Sequence, residues 1–429
     1  MNDIAIPQFI GPIDADVRIP GSKSLTNRAL LVAALADGES LLENALSCED
    51  SDIFSTCLCQ LGIPVKAESA SASFRVGGLG GTVPSRRANL FVGNAGTAAR
   101  FITALLSLVE GEYCLDGVSA MRRRPMGELL RILRGQGCEI VFGSDDGCMP
   151  FTLKSKRFEG GRICMQSNQT SQQLSALLMI APYARRDTTI DIEGTVVSQP
   201  YLDMTCALME DFGVIVSREG YNSFQIEAGQ RYQPIRYLIE PDASNASYFF
   251  AAAAVTGGRV RVNDLSIDSC QGDVRFVELL ETMGCKVNST STYIEVIGPE
   301  KLSGIDVDMN DISDTVPTLA AIAPFASSPV TIRNVEHIRG KETDRIAAVT
   351  TELKRMGIGI EEFDGGLTIH PGIPSPAEIH TYNDHRMAMA FAVTGLKAPG
   401  IVIRDPACTG KTFPDFFDRF SLMLTPGSK

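Results

Sequence analysis

Gly21-Ser22-Lys23-Ser24-Leu25-Thr26-Asn27-Arg28 runs straight into Ala29-Leu30-Leu31-Val32-Ala33-Ala34-Leu35. This junction of a polar, cationic turn with a run of small apolar residues decides the reading of the fold. A helix start presents backbone N–H groups without partners and the positive end of the helix dipole. One Ser or Thr is enough to cap it. Lys23 and Arg28 in the same stretch point beyond capping, to a bound anion. The spacing is not that of a GxxxxGK[ST] nucleotide loop, because Val17 stands where its first glycine would be and Ser22 separates Gly21 from Lys23.

The same junction recurs along the chain. Apolar runs at 28–35, 98–106, 174–181, 246–255, 316–323 and 387–393 each follow a turn rich in Ser, Asn or Asp. Segments at 73–76, 188–192, 259–262 and 330–332 have the β-branched content of strands. A second helix-like stretch then ends near Gly62, Gly137, Gly213, Gly284 or Gly357, at spacings of 75, 76, 71 and 73 residues. That period exceeds the ~20–50 residues of a solenoid repeat. It predicts six α/β supersecondary units, the sixth beginning at Asn383. The run Gly77-Gly78-Leu79-Gly80-Gly81 fails GxGxxG and reads as a loop.

Composition narrows the function. The 429 residues, 44% hydrophobic, exceed one core of roughly 250–300 residues, so two or three domains are expected. A net charge of −12 opposes nucleic-acid binding, so the basic residues that matter must be local. No apolar run reaches the ~18 residues of a membrane span, and the first residues carry acids without an apolar signal core. A cytoplasmic protein with no membrane and no nucleic-acid partner is expected. The eleven cysteines are odd in number and scattered, which opposes a disulfide framework. Cys57-Leu58-Cys59 lies in a helix-like apolar stretch and reads as structural. The four histidines form no HExxH, so no metal is expected.

The remaining motifs carry chemistry. Gly93-Asn94-Ala95-Gly96-Thr97-Ala98-Ala99-Arg100 lets backbone approach a ligand. Arg122-Arg123-Arg124-Pro125 sits at a turn before a helix, where a bidentate Arg suits a carboxylate or phosphate. Ser167-Asn168-Gln169-Thr170-Ser171-Gln172 and Val197-Ser198-Gln199-Pro200-Tyr201 offer uncharged hydrogen-bonding groups for a hydroxylated ligand. Asp311-Ile312-Ser313-Asp314 supplies carboxylates. Lys341-Glu342-Thr343-Asp344-Arg345 sets carboxylates between cations, as proton transfer beside an anion requires. Asn383-Asp384-His385-Arg386 and Thr409-Gly410-Lys411-Thr412 complete the set.

Taken in order and spacing, these motifs resemble the EPSP synthase family of enolpyruvyl transferases, from Arg18 to about Phe417. The resemblance implies a two-domain α/β fold of six βαβαββ units, three per domain about a pseudo-threefold axis. One domain would span 22–241 and the other would join 1–21 to 242–429, with the active site in the interdomain cleft. It implies transfer of the enolpyruvyl group of phosphoenolpyruvate to the 5-hydroxyl of shikimate 3-phosphate through a tetrahedral intermediate, without metal or cofactor, by a monomer. By motif, shikimate 3-phosphate would meet Lys23, Ser24, Arg28, Thr170, Ser171, Gln172, Ser198, Tyr201, Asp314 and Lys341. Phosphoenolpyruvate would meet Lys23, Gly96, Arg124, Gln172, Arg345, Arg386 and Lys411. Asp314 would be the base on the 5-hydroxyl, Glu342 the proton shuttle at C3 and Lys23 the acid at the leaving phosphate, with His385 assisting. Glyphosate is the expected inhibitor at the phosphoenolpyruvate position. Three residues depart from the family pattern: Thr170 in place of Ser, His337 in place of Asn, and Phe101 in place of Pro.

Two rival readings are a UDP-N-acetylglucosamine enolpyruvyl transferase and an RNA-end-processing protein of related fold. The segment 117–125 lacks the Cys that marks the first, and the acidic charge opposes the second.

Overall fold

The computed structural model describes residues 3–143, 145, 147–166 and 170–425. The chain divides into two compact units, one from Gly21 to Ile239 and the other from the chain on both sides of it.

In the first unit, helices Lys23–Leu35, Gly96–Leu106 and Ser171–Ile180 are buried nearly all round. A helix that is apolar on every side belongs inside a core, and the small residues of the 28–35 and 98–106 runs allow close approach. The other unit repeats this with Ala243–Thr256, Val316–Ile322 and His385–Lys397. Outer helices Glu49–Gln60, Gly127–Gly135, Pro200–Asp211, Phe276–Thr282 and Arg345–Arg355 lead into Gly62, Gly137, Gly213, Gly284 and Gly357. All five glycines have φ between 78° and 103°. The repeat glycine thus ends each outer helix in a conformation that side chains with a Cβ rarely adopt.

Among the described residues, five of the six units carry a four-stranded sheet of one pattern. In the second, Arg87–Phe91 pairs parallel with Gly111–Asp116, which pairs antiparallel with Phe151–Ser155, which pairs antiparallel with Glu139–Phe142. With the two helices this gives βαβαββ. Two sheets take their first strand from far along the chain. Arg236–Leu238 joins Asp37–Glu43, and Asp14–Arg18 joins Arg259–Asn263, both parallel. The sixth sheet has three strands and is completed by Ile4–Ala5.

The glycine-rich run at 77–81 is not wholly a loop. Gly77 and Gly78 lie within strand Ser73–Leu79, opposite Glu39 and Gly38. A Cβ on Gly78 would fall 2.3 Å from the carbonyl oxygens of Ala33 and Ala36. The glycine lets the strand pass the end of the buried helix, a close approach that spacing rules do not reveal.

Candidate active site

In the Gly21–Ile239 unit the sequence-selected residues gather at helix starts. Ser22 caps helix Lys23–Leu35 by accepting from the Leu25 amide. Lys23 Nζ lies 3.5 Å from Asp50 Oδ2. Arg28 is 1% exposed. Its Nε donates to Thr205 Oγ1 at 2.8 Å, and its terminal nitrogens donate to the Ser24 and Tyr201 carbonyls and to Ser175 Oγ. The guanidinium lies 5.7 Å from the ring centroids of both Phe101 and Tyr201. Phe101 is fully buried and also packs on Phe54. The departure at this position therefore builds a floor beneath Arg28.

A second cluster forms around Gly96, the first residue of helix Gly96–Leu106. Arg124 donates to the Asn94 carbonyl at 3.1 Å. Arg100 donates to the carbonyls of Gly96 and Pro125 and to Gln172 Oε1 at 3.1 Å. A Cβ on Gly96 would sit 2.5 Å from an Arg124 terminal nitrogen and 2.8 Å from one of Arg100, so this glycine makes room for two guanidinium groups. Thr170 caps the helix that starts at Ser171, accepting from the Gln172 amide. Ser198 is buried and adopts φ of 55°, left-handed for a residue with a Cβ. Ser167, Asn168 and Gln169, part of the polar motif preceding Thr170, lie outside the described residues.

In the other unit, charged groups from four motifs converge. Asp314 accepts from Arg345 at 2.9 Å through one carboxylate oxygen and from Arg386 at 2.6 Å through the other. Arg345 is 1% exposed. It also donates to Glu342 at 2.9 Å and, through Nε, to Asp384 at 2.8 Å. Burial works against its charge, but Asp384, Glu342 and Asp314 more than offset this and hold its pKa above the usual value. Lys411 Nζ stands 3.9 Å from Glu342. Arg386 donates to Tyr248 Oη at 3.3 Å. His385 is 1% exposed, its Nδ1 3.6 Å from Asp384 Oδ1. Lys341, half-buried, ends the turn Glu336–Gly340. His337, in that turn, places Nε2 2.9 Å from Ser313 Oγ, beside Asp314. Burial and the charge of Lys341 push its pKa down to about 3, so the imidazole is neutral.

Some participants carried no assigned role in the sequence. Arg100 was visible in its motif, but its bridge to Gln172 spans 72 residues. Asp384 caps helix His385–Lys397 while holding Arg345; an Asp directly before His-Arg was the signal. Tyr248 gave one as the lone phenol of helix Ala243–Thr256. Among the described residues no group of three or more His, Cys, Asp and Glu side chains is placed to hold a metal ion. None of the described helices is long and apolar enough to cross a membrane.

Comparison with known proteins extends these observations. The family model of EPSP synthase (3-phosphoshikimate 1-carboxyvinyltransferase) matches residues 7–420. The 3-phosphoshikimate 1-carboxyvinyltransferase of Nostoc punctiforme is 63% identical over 424 residues, covering 99% of this chain and 100% of that one. The protein of the same description from Shewanella baltica is 44% identical over 412 residues, covering 95% and 96%. An EPSP synthase structure from Acinetobacter baumannii matches with a TM-score of 0.82 at 24% identity over 97% of both chains. The enolpyruvyl transferase NikO of Streptomyces tendae matches with a TM-score of 0.79 at 16% identity, covering 97% and 96%. At those identities the two structures speak for the fold.

Proposed function

The chain belongs to the EPSP synthase family, and from that premise we propose how its two polar clusters divide the reaction. It transfers the enolpyruvyl group of phosphoenolpyruvate to shikimate 3-phosphate. In the proposed course the acceptor 5-hydroxyl loses its proton to Asp314 and bonds to C2, while C3 takes a proton from Glu342. The tetrahedral intermediate then returns a proton from C3 and expels phosphate, with Lys23 protonating the departing oxygen.

One observation carries the assignment to Asp314. Its carboxylate is held between the guanidinium groups of Arg345 and Arg386. Opposite charges at hydrogen-bond distance make a carboxylate a weak base. Phosphoenolpyruvate brings a carboxylate and a phosphate, both of which suit guanidinium. When these anions engage Arg345, Arg386 and Lys411, Asp314 and Glu342 lose part of their neutralisation and become stronger bases beside the bound substrate. Arg124, displayed by Gly96, is the further phosphoenolpyruvate ligand. Lys23, Ser24, Arg28, Thr170, Ser171, Gln172, Ser198, Tyr201 and Lys341 serve shikimate 3-phosphate. Glyphosate is an inhibitor competing with phosphoenolpyruvate, and the active form is a cytoplasmic monomer, a setting that suits eleven free cysteines.

The test is phosphate release from phosphoenolpyruvate with and without shikimate 3-phosphate, repeated with glyphosate and with UDP-N-acetylglucosamine as acceptor. Release is expected only with shikimate 3-phosphate and should fall with glyphosate. An Asp314→Ala variant is expected to lose turnover by about 10²–10⁴-fold. Undiminished turnover would remove Asp314 from the role of base.

A further inference from the structure

The three buried helices of the Gly21–Ile239 unit have a second end. Their starts carry Lys23, Gly96 and Ser171, and at 10 to 13 residues they place their C-termini roughly 15–20 Å away. There the structure opens a hollow of about 1150 Å³. Leu108 and Val109 line it just beyond helix Gly96–Leu106, and Tyr183 just beyond helix Ser171–Ile180. Gly80, on its rim, donates its amide to the Ala36 carbonyl at the end of helix Lys23–Leu35. No residue assigned to either substrate lines it.

Its walls are strongly cationic. Arg86 and Arg87 stand at the start of strand Arg87–Phe91, and Lys154, Lys156 and Arg157 at the end of strand Phe151–Ser155 and just past it. Arg185 and Arg231 bring the cations to seven, against three carboxylates, Glu110, Glu112 and Glu139. Among the described residues only Lys154 and Arg185 of the seven meet a carboxylate, Glu139 and Glu159, each at 3.2 Å. Arg231 lies instead 4.8 Å from the ring centroid of the buried Tyr183, and Arg86 donates to the Glu110 carbonyl. This excess stands in a chain whose net charge is −12.

Helix ends alone do not account for it. Each C-terminus presents about half a negative charge, so three helices ask for about two cations. The other unit supplies the comparison. Val255, Phe325 and Lys397 mark the hollow at the C-terminal ends of its buried helices, which measures about 440 Å³ and is lined by two cations, Lys301 and Lys397, with Glu300. The repeated fold manages there with two, and the remainder in the first hollow serve another purpose. A concave wall of one sign of charge concentrates counter-ions, and guanidinium groups match phosphate oxygens. The hollow also exceeds the ~300–1,000 Å³ of an ordinary small-molecule pocket, so a lone phosphate would meet only a few of its cations. We propose that it is a second anion site, separate from the site of reaction, and that it takes a chain of three or more phosphates, as in a nucleoside triphosphate or free polyphosphate.

The experiment is calorimetric titration of the full chain, without divalent ions, using sodium tripolyphosphate, ATP and orthophosphate at low and at raised KCl. Wild type is compared with Arg87→Ser/Lys156→Ser, with the charge-keeping pair Arg87→Lys/Lys156→Arg, and with Lys23→Ala and Lys411→Ala, which remove cations from the site of reaction. Tripolyphosphate is expected to bind at one site and to weaken as salt rises. The serine pair should weaken it by about tenfold, as the loss of two exposed ion pairs allows. The charge-keeping pair, Lys23→Ala and Lys411→Ala should leave it unchanged. Arg87 and Lys156 are exposed, so the serine pair should fold and release phosphate from phosphoenolpyruvate at the wild-type rate. Should it not fold, Arg157→Ser reads the same loss at a separate position, at about threefold. ATP binding more tightly than tripolyphosphate would assign the hollow to nucleotides, and equal or weaker ATP binding to free polyphosphate; both uphold the proposal. It is overturned if tripolyphosphate does not bind, if orthophosphate binds as tightly, if the serine substitutions leave binding unchanged, or if Lys23→Ala or Lys411→Ala abolishes it.

Discussion

Replacing Gly96 with Ala separates binding chemistry from folding at a single atom. A Cβ at this position meets an Arg124 terminal nitrogen at 2.5 Å, its guanidinium carbon at 2.6 Å and an Arg100 terminal nitrogen at 2.8 Å. Ordinary van der Waals contact begins near 3.4 Å, so the guanidinium of Arg124 must retreat by about 1 Å. The atoms that must move are the far ends of flexible side chains. Gly96 is also helical and not left-handed, so Ala is permitted there, and Ala exceeds Gly in helix propensity by up to about 1 kcal/mol. Stability should stay level or rise slightly. Binding should not: a 1 Å misplacement of a positioning group costs on the order of 10²-fold, which is about 2.7 kcal/mol and within the range of a charged hydrogen bond. Steady-state phosphate release should therefore show kcat/KM for phosphoenolpyruvate down about 30–100-fold. The KM for shikimate 3-phosphate should change little, because Arg28 has its own network through Thr205, Ser175 and Tyr201. An unchanged KM for phosphoenolpyruvate, or a thermal midpoint lowered by many degrees, would refute the argument that Gly96 exists to seat Arg124.

Arg345→Met should destabilise the protein by roughly 3–5 kcal/mol in a denaturant titration, because Asp314, Glu342 and Asp384 would lose their shared buried cation; a midpoint within error of wild type would count against that. Tyr183→Phe should cost about 1–3 kcal/mol, since the Tyr183 hydroxyl donates to the Leu35 carbonyl and accepts from the Tyr232 amide; the same titration reads it. His337 has its pKa lowered from 6.5 to about 3. The unfolded chain then binds a proton that the folded protein refuses, so this residue's share of stability is complete above pH 6.5 and declines as pH falls toward 3. His337→Asn should flatten that part of the stability–pH curve, and the wild-type ring resonances of His337 should not titrate between pH 5 and 8.

The helix starts were legible because caps and apolar runs are local. The carboxylate partners were not, because ion pairs are made across the fold. Arg345 meets Asp314 over 31 residues and Arg386 meets it over 72; Arg28 meets Thr205 over 177. No spacing rule reaches that far. The repeat glycines were legible as a period, and the structure supplies their cause in left-handed backbone at the end of each outer helix. The borrowed strands Arg236–Leu238 and Asp14–Arg18 left no mark in composition, since a parallel edge strand of three to five residues looks like any extended segment. Gly77 and Gly78 misled in the other direction. Glycines that elsewhere make a loop here thin a strand against the carbonyls of a helix end.

The largest change concerns charge. From the sequence, Lys23, Arg28, Arg124, Lys341, Arg345, Arg386 and Lys411 read as a cationic lining in an acidic chain. In the structure the cluster around Arg345 is close to neutral, because Asp314, Glu342 and Asp384 answer Arg345, Arg386 and Lys411. Three cations buried together without an anion would be prohibitive. The carboxylates let these cations be buried together, and in the proposed course they hold the contacts that phosphoenolpyruvate would take. Anion binding at this cluster, as proposed, would be an exchange of partners and not an addition of charge. In the proposed course, substrate entry would release the carboxylates that the chemistry needs, so that what biases their protonation would also bias binding. This coupling predicts that variants which weaken the ion pairs without removing a cation will alter KM and the pH profile together, since one set of contacts governs both.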